Sequence, residues 1–257
     1  MGITRLNVFA GLASGYLMRD ANDPGDGSTG LPPAPKVSAR ERVHNFRMSQ
    51  EVGSAVAQTK QSLRRRLRAQ RRSLAPQRNR AADAHAIATA ASALLDSLTL
   101  PHVSRGKHPT YGDQACVAIY RSLPHEPPTE ALAEMLHSRS VQVIVPETLP
   151  DLDLEWRELR IDGNEGPRLG REGIAAAQVI LAPGLAVDHI GTRLGQGGGS
   201  YDRALARRRP GALIVAIVND QEFDESPLPH DSHDVRVDAV ITPGGGLHPI
   251  PDAGSAL

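Results

Sequence analysis

The residues best suited by type and spacing to do chemistry lie in one run: Arg193-Leu194-Gly195-Gln196-Gly197-Gly198-Gly199-Ser200-Tyr201-Asp202-Arg203. Four glycines within five positions let a backbone turn sharply and bring its N–H groups close to a ligand, since no Cβ stands in the way. Arginine opens the run, and Tyr-Asp-Arg closes it where a helix is expected to start. The apolar stretch 179–182 precedes it, followed by Pro183-Gly184 and Asp188. Strand, glycine loop and helix in that order present a helix N-terminus to a phosphate, so the run points to an anionic ligand, a nucleotide first of all. It is not a P-loop, because no Gly-Lys-Ser/Thr follows. It also lacks the acidic partner about 20 residues on that a dinucleotide fingerprint carries. Taken alone, the run fits a tight turn as well as a phosphate cradle.

The elements that position this run come from 257 residues with 29 basic and 29 acidic side chains, a formal net charge of zero. That length holds one large domain or two small ones and is enough to bury a core. A neutral chain has no global basic field, and 3% aromatics leave little surface for stacking bases, so no nucleic-acid partner is expected. The single cysteine, Cys116, excludes an intrachain disulfide and a CxxC metal site. It sits in an apolar run, reads as a buried structural thiol, and fits a reducing cytoplasm. No stretch approaches the roughly 18 apolar residues of a membrane span, so no membrane partner is expected. The mildly apolar stretch 6–17 is broken by Asn7, Gly11 and Ser14 and makes a poor signal peptide.

Residues 1–55 have turn and linker composition, with Asp23-Pro24-Gly25-Asp26-Gly27-Ser28 and Pro32-Pro33-Ala34-Pro35. They are expected to be a disordered extension, with Met48 an alternative start, ahead of an α/β domain over 56–250. From Lys60 on, Leu63, Leu67 and Leu74 recur among Arg64, Arg65, Arg66, Arg68, Arg71 and Arg72, which predicts a basic amphipathic helix. Pro76 interrupts it; helical spacing then resumes over 79–98, and a polar loop is expected over 105–114. Apolar runs predict strands over 117–120, 141–145, 179–181, 213–218 and 237–242, with helices over 129–138 and 201–209. Alternation over 152–159 predicts an edge strand. Strands separated by helices imply a three-layer, open, mostly parallel sheet with helices on both faces, Rossmann-like in arrangement. Such sheets bind ligands outside the carboxyl ends of their strands. The glycine loop and the Pro-Glu loop after Tyr120 both fall there, which favours the phosphate reading over a bare turn.

Several segments, in order, resemble the 5-formyltetrahydrofolate cyclo-ligase (methenyltetrahydrofolate synthetase) family. They are Lys60-Gln61-Ser62-Leu63-Arg64; Glu126-Pro127-Pro128-Thr129; Pro183-Gly184-Leu185-Ala186-Val187-Asp188 with Gly191 and the run Arg193 to Asp202; and Leu228-Pro229, His233-Asp234 and 237–243. The resemblance covers roughly residues 58–245. It implies conversion of 5-formyltetrahydrofolate to 5,10-methenyltetrahydrofolate with ATP and Mg²⁺, releasing ADP and phosphate. In that chemistry the formyl oxygen attacks the γ-phosphate, N10 attacks the activated carbon, and phosphate leaves. The protein's task is then mainly positioning and charge neutralisation. A monomer or weak homo-oligomer is expected.

The resemblance implies ATP contacts from Lys60, Arg64, Arg193, Leu194, Gly195, Gln196, Gly197, Gly198, Gly199, Ser200 and Tyr201, with Arg193 and Tyr201 in the catalytic step. It implies substrate contacts from Glu126, Gln196, Gly197, Gly198, Gly199 and Ser200, and Mg²⁺ on Asp202 and Asp234, whose hard oxygens suit that ion. Plainer roles stand beside these: a helix cap for Asp202, a loop turn for Asp234, packing for Tyr201, and solvated charge for Arg65, Arg66 and Arg68. Asp188 is expected to organise its loop through an Asx-type bond. His230 and His233 read as loop residues, not zinc ligands, and Trp156 as a pterin-pocket wall or a core residue. The chain departs from the family at Ser200, often tyrosine; at Val187, often phenylalanine; and at 173–177, where an acid and a proline are missing. These departures bear on folate affinity. Two other readings are a non-catalytic relative binding folate, nucleotide or RNA, and a sugar-phosphate isomerase on a related sheet.

Overall fold

Apolar side chains on both sides of short strands require cover on both faces, and the computed structural model has that arrangement. It describes residues 39–98, 114–224, 226–231 and 234–251. The helices are α1 (Ala39–Leu74), α2 (Arg80–Ser97), α3 (Glu130–Ser138) and α4 (Ser200–Ala206). The strands are β1 (Cys116–Ala118), β2 (Gln142–Thr148), β3 (Leu154–Leu159), β4 (Glu165–Gly170), β5 (Val179–Pro183), β6 (Ala186–Asp188), β7 (Arg193–Leu194), β8 (Leu213–Ile217), β9 (Phe223–Asp224), β10 (Ala239–Thr242) and β11 (Gly246–Pro249). The main sheet has the order β11-β10-β8-β5-β1-β2-β3-β4. Its five central strands are parallel, while β11, β3 and β4 pair antiparallel at the margins. This is the open, mostly parallel α/β sheet expected.

The period-2 geometry of strands divides the core in two. Val117, Val179, Leu181, Val215 and Ile217 face α2 and α3, where they meet Ile87, Leu94, Leu132 and Leu136. The alternate residues Cys116, Ala118, Ile180, Ile214 and Ala216 face Ile174, Trp156 and the α4 residues Ala204 and Leu205. Cys116 is buried as expected, and burial pushes its thiol up to about 12. Trp156 has no exposed surface, so it belongs to the core and not to a pocket wall.

Several boundaries differ from the sequence expectation. Helix α1 begins at Ala39, ahead of the basic helix expected from Lys60; residues 1–38 and most of the loop expected over 105–114 lie outside the described residues. The strand over Leu154–Leu159 is not an edge, because β4 pairs along its other side. Gly166, Pro167 and Gly170 erase the alternation that would have revealed β4. Helix α4 stops at Ala206, short of 209. Among the described residues no helix is long and apolar enough to cross a membrane.

A second sheet, β7-β6-β9, leads into the glycine loop. Its keystone is Asp188, fully buried, whose carboxylate accepts hydrogen bonds from the backbone N–H of Ile190 (3.1 Å), Thr192 (2.8 Å) and Leu228 (2.9 Å). The Asx-type role expected for it holds, extended to a segment 40 residues away. Asp188→Ala leaves these donors without acceptors and is expected to cost about 3 kcal/mol or more of stability, read as a lower urea midpoint at unchanged m-value.

Candidate active site

The chain leaves β1 for β2 on one side and returns to β5 on the other, so the order of strands reverses at the β1/β5 boundary. At such a point the loops beyond the strand ends part and leave a crevice. A cavity of about 690 Å³ opens here, lined by Lys60 and Arg64 of α1, by Pro183-Gly184 after β5, by Arg193, by residues 195–203, and by Asp231 and Asp234. Segments separated by up to 174 residues in sequence thus meet in one place.

Helix α1 supplies one wall. Lys60, Arg64, Arg68 and Arg71 follow at intervals of four, four and three, which places them along one helix face. Leu67, between them, is buried with Leu185, Leu194 and Leu228 and anchors that face. Arg64 Nε donates to Gly195 O at 2.9 Å, and Arg68 donates to both Gln196 Oε1 (2.9 Å) and Gln196 O. Arg68 is therefore bound to the glycine loop, contrary to the solvated role expected for it. In a trans peptide the N–H lies opposite the C=O. With the carbonyls of Gly195 and Gln196 tied to α1, the N–H groups of Gln196 and Gly197 point away from it. Gly197 has φ 106°, and a Cβ there would sit 3.4 Å from Arg64 Nε, so glycine serves both the conformation and the contact.

Cations and carboxylates pair across the cavity. Lys60 Nζ lies 2.7 Å from Asp231 Oδ2 and 2.5 Å from Asp234 Oδ2. Burial lowers the Lys60 pKa, but the bonds to Asp231 and Asp234 outweigh it and raise the pKa overall. Burial likewise raises that of Asp234, yet the Lys60 bond and the Asp231 N–H hold its carboxyl below the usual carboxylate range. For Arg64, burial and the neighbouring Arg68 pull the pKa down. Arg193 is 5% exposed; its Nη2 donates to Asp202 Oδ1 at 2.6 Å and its Nη1 to Pro183 O at 3.1 Å. Its Nε is buried with no partner, as is the Tyr201 hydroxyl. The Arg193 guanidinium stands 5.7 Å from the Tyr201 ring centroid, and Trp156 meets that ring edge-on at 6.5 Å. Burial pushes the Tyr201 hydroxyl pKa upward against the pull of Arg193.

Of the residues the sequence singles out, the structure gathers Lys60, Arg64, Arg193, Gly195, Gln196, Gly197, Gly198, Gly199, Ser200, Tyr201, Asp202 and Asp234 around this cavity. Leu194 lines no part of it; its side chain is in the core beside Leu67. Glu126 lies outside the lining, where Oε1 accepts from the Gln196 amide at 3.4 Å and Oε2 from Leu123 N at 3.1 Å. Val187 is fully buried, so its departure from phenylalanine acts on packing beneath the loop. His233 lies outside the described residues. Asp231 and Arg71 were not singled out as site residues: one sits in a polar loop, the other in a run of arginines, and only the fold reveals their partners. Among the described residues no group of three or more His, Cys, Asp or Glu gathers as a metal cage. Asp202 and Asp234, two separate carboxylates beside cations, could hold an ion that arrives with phosphate oxygens of its own.

The model of the 5-formyltetrahydrofolate cyclo-ligase family matches residues 56–243. The 5-formyltetrahydrofolate cyclo-ligase of Mycolicibacterium smegmatis is 35% identical over 146 residues, covering 51% of this chain and 75% of that protein. The mitochondrial 5-formyltetrahydrofolate cyclo-ligase of Arabidopsis thaliana is 31% identical over 136 residues, 48% of this chain and 47% of that protein. The NMR structure of Aquifex aeolicus 5,10-methenyltetrahydrofolate synthetase shares the fold, with a TM-score of 0.56 over 77% of this chain and 96% of that one at 22% identity.

The Lys60–Asp234 contact has a pH signature. Because the folded pKa of Asp234 is depressed below 3.8, its contribution to stability is present above that value and lost as pH falls through the folded pKa. Asp234→Asn is expected to lower stability at neutral pH by about 1–3 kcal/mol. Urea midpoints of parent and variant should converge as pH drops below 3.8.

Proposed function

The chain belongs to the 5-formyltetrahydrofolate cyclo-ligase family, and from that premise we propose that it closes 5-formyltetrahydrofolate to 5,10-methenyltetrahydrofolate with ATP and Mg²⁺, releasing ADP and phosphate. The observation that carries this reading is the double pairing, Lys60 with Asp234 and Arg193 with Asp202, around a glycine loop at the β1/β5 crevice. A site for a phosphate ester alone has no use for the carboxylates, and a site for a metal alone has no use for the cations. A divalent metal held by a triphosphate uses both. The buried, unpartnered Nε of Arg193 is a donor awaiting an acceptor and supports the fit.

Bound ATP supplies a phosphoryl group that turns the formyl oxygen, a poor leaving group, into phosphate. The chain's residues supply position and charge. Lys60, Arg64 and Arg193 neutralise the phosphates, and Arg193, fixed by Pro183 O and stacked near Tyr201, is held where charge develops during transfer. Asp202 and Asp234 would hold Mg²⁺, which would neutralise phosphate charge, their hard carboxylate oxygens suiting that ion. Loop N–H groups turned away from α1 add donors without added charge. Tyr201 closes the inner wall. Glu126 accepts N–H groups of the substrate beside Gln196, the reading its carboxylate and the family resemblance support. Ser200, small and half-buried at the loop end, leaves room where the family pattern often has tyrosine.

Incubating the protein with 5-formyltetrahydrofolate, Mg²⁺ and ATP is expected to produce the strongly absorbing methenyl product with matching ADP. Neither product nor ADP would overturn the reading, and folate binding without turnover would move the chain to a non-catalytic role. Asp202→Asn is expected to lower kcat by about 100-fold or more and to raise the Mg²⁺ concentration needed, while the protein stays folded at a somewhat lower melting temperature, since Arg193 loses its carboxylate partner. Parent-like turnover and Mg²⁺ dependence would remove Asp202 from the metal site.

A further inference from the structure

Behind the glycine loop, Arg71 brings a full positive charge to a place where only 2% of its side chain is exposed. Burying a guanidinium is tolerable only where a carboxylate and several acceptors meet it. Glu222 does so through Nε at 2.7 Å and Nη2 at 2.5 Å, and Gly184 O accepts from Nη2 at 2.6 Å. One carboxylate already balances the charge, yet a second faces the same guanidinium. Glu126 Oε1 lies 4.0 Å from Nη1, which is itself buried without a hydrogen-bond partner.

Glu126 is 8% exposed, and Arg71 is the cation paired with it. Its Oε2 is occupied by Leu123 N, while Oε1 receives only the 3.4 Å contact from Gln196. The surrounding turn is fixed from the other side by Arg80, whose Nη1 donates to Glu126 O at 2.9 Å and whose Nη2 donates to Ser122 Oγ at 2.8 Å. The carboxylate is thus aimed, with Oε1 left able to accept more.

We infer that Arg71 is a positioning residue for folate: it holds the Glu126 side chain aimed, so that Oε1 can accept the N–H donors of the pterin ring. The same guanidinium grips Gly184 O at the cavity floor, so one side chain sets both the substrate carboxylate and the floor beneath it. This rests on the reading of the site given above, but it assigns a role to a residue outside the family's signature segments and outside the cavity lining.

The test uses the full chain and separates the two ligands. Binding of 5-formyltetrahydrofolate alone, by calorimetry, is expected to weaken roughly 10- to 100-fold in Arg71→Met and in Glu126→Gln, the loss of a hydrogen bond to a charged group. The KM for ATP should stay near that of the parent in Glu126→Gln and should rise by less than the loss of folate affinity in Arg71→Met, where Gly184 O and Glu222 also lose a partner. The double variant should bind no worse than the weaker single one, since both changes disable the same acceptor. Additive losses, unchanged folate affinity, or equal loss for folate and ATP would each overturn the inference. If Arg71→Met does not fold, Arg71→Lys decides, because it retains a charge for Glu222 without the fork. Weakened folate binding at a parent-like melting temperature supports the role, and parent-like binding refutes it. Absence of turnover in the parent protein would count against the proposed activity, while the folate-binding comparison still judges Arg71.

Discussion

A guanidinium withdrawn from water must find its counter-charge where it lies, and the two-point contact between Arg71 and Glu222 meets that demand for the whole of α1. Breaking such a buried pair costs about 3–5 kcal/mol, more than the roughly 1.5–3 kcal/mol from burying a leucine such as Leu67 beside it. The planar fork also has a direction, so it fixes the rotation and height of the helix as well as its attachment. With that register set, Arg68, Arg64 and Lys60 arrive in turn over Gln196, Gly195 and Asp234. The site is a consequence of how one helix is seated.

The cavity also has an internal balance of charge. Each carboxylate suited to a metal is held by a cation suited to phosphate: Asp234 by Lys60 and Asp202 by Arg193. Neither set is left as bare buried charge, which would be costly. The interactions that a metal–phosphate ligand would make are exchanges of partner within a neutral set, and the protein does not have to create a charged pocket from nothing. Asp231 takes part in the same balance by sharing the Lys60 ammonium and donating its N–H to Asp234.

The features legible in the sequence share a physical cause. The central strands could be read because both faces are buried, leaving unbroken apolar runs such as 179–182 and 213–217. The glycine run could be read because its composition has few uses, and Lys60, Arg64, Asp202 and Asp234 because their spacing matched a family pattern. Strands of two or three residues, as in β6, β7 and β9, are too short to show a period, and β4 hid behind its glycines and proline. Arg71 stood among Arg64, Arg65, Arg66, Arg68 and Arg72, where nothing local marks it out. Its significance comes from Glu222, 151 residues away, and long-range pairing of polar residues leaves no periodic trace.

The distances along the chain between α1 and its partners have a consequence for assembly. Lys60 meets Asp234 across 174 residues, and Arg71 meets Glu222 across 151, whereas β1 meets β2 over a much shorter loop. Closing loops of that length is entropically demanding, and contacts across them form late. During synthesis α1 leaves the ribosome first among the described elements, yet its hydrogen-bond partners elsewhere in the fold, from Gly184 to Asp234, follow only 113 to 174 residues later. The helix made early is therefore the piece docked last. The cavity that it walls is complete only once that helix is seated.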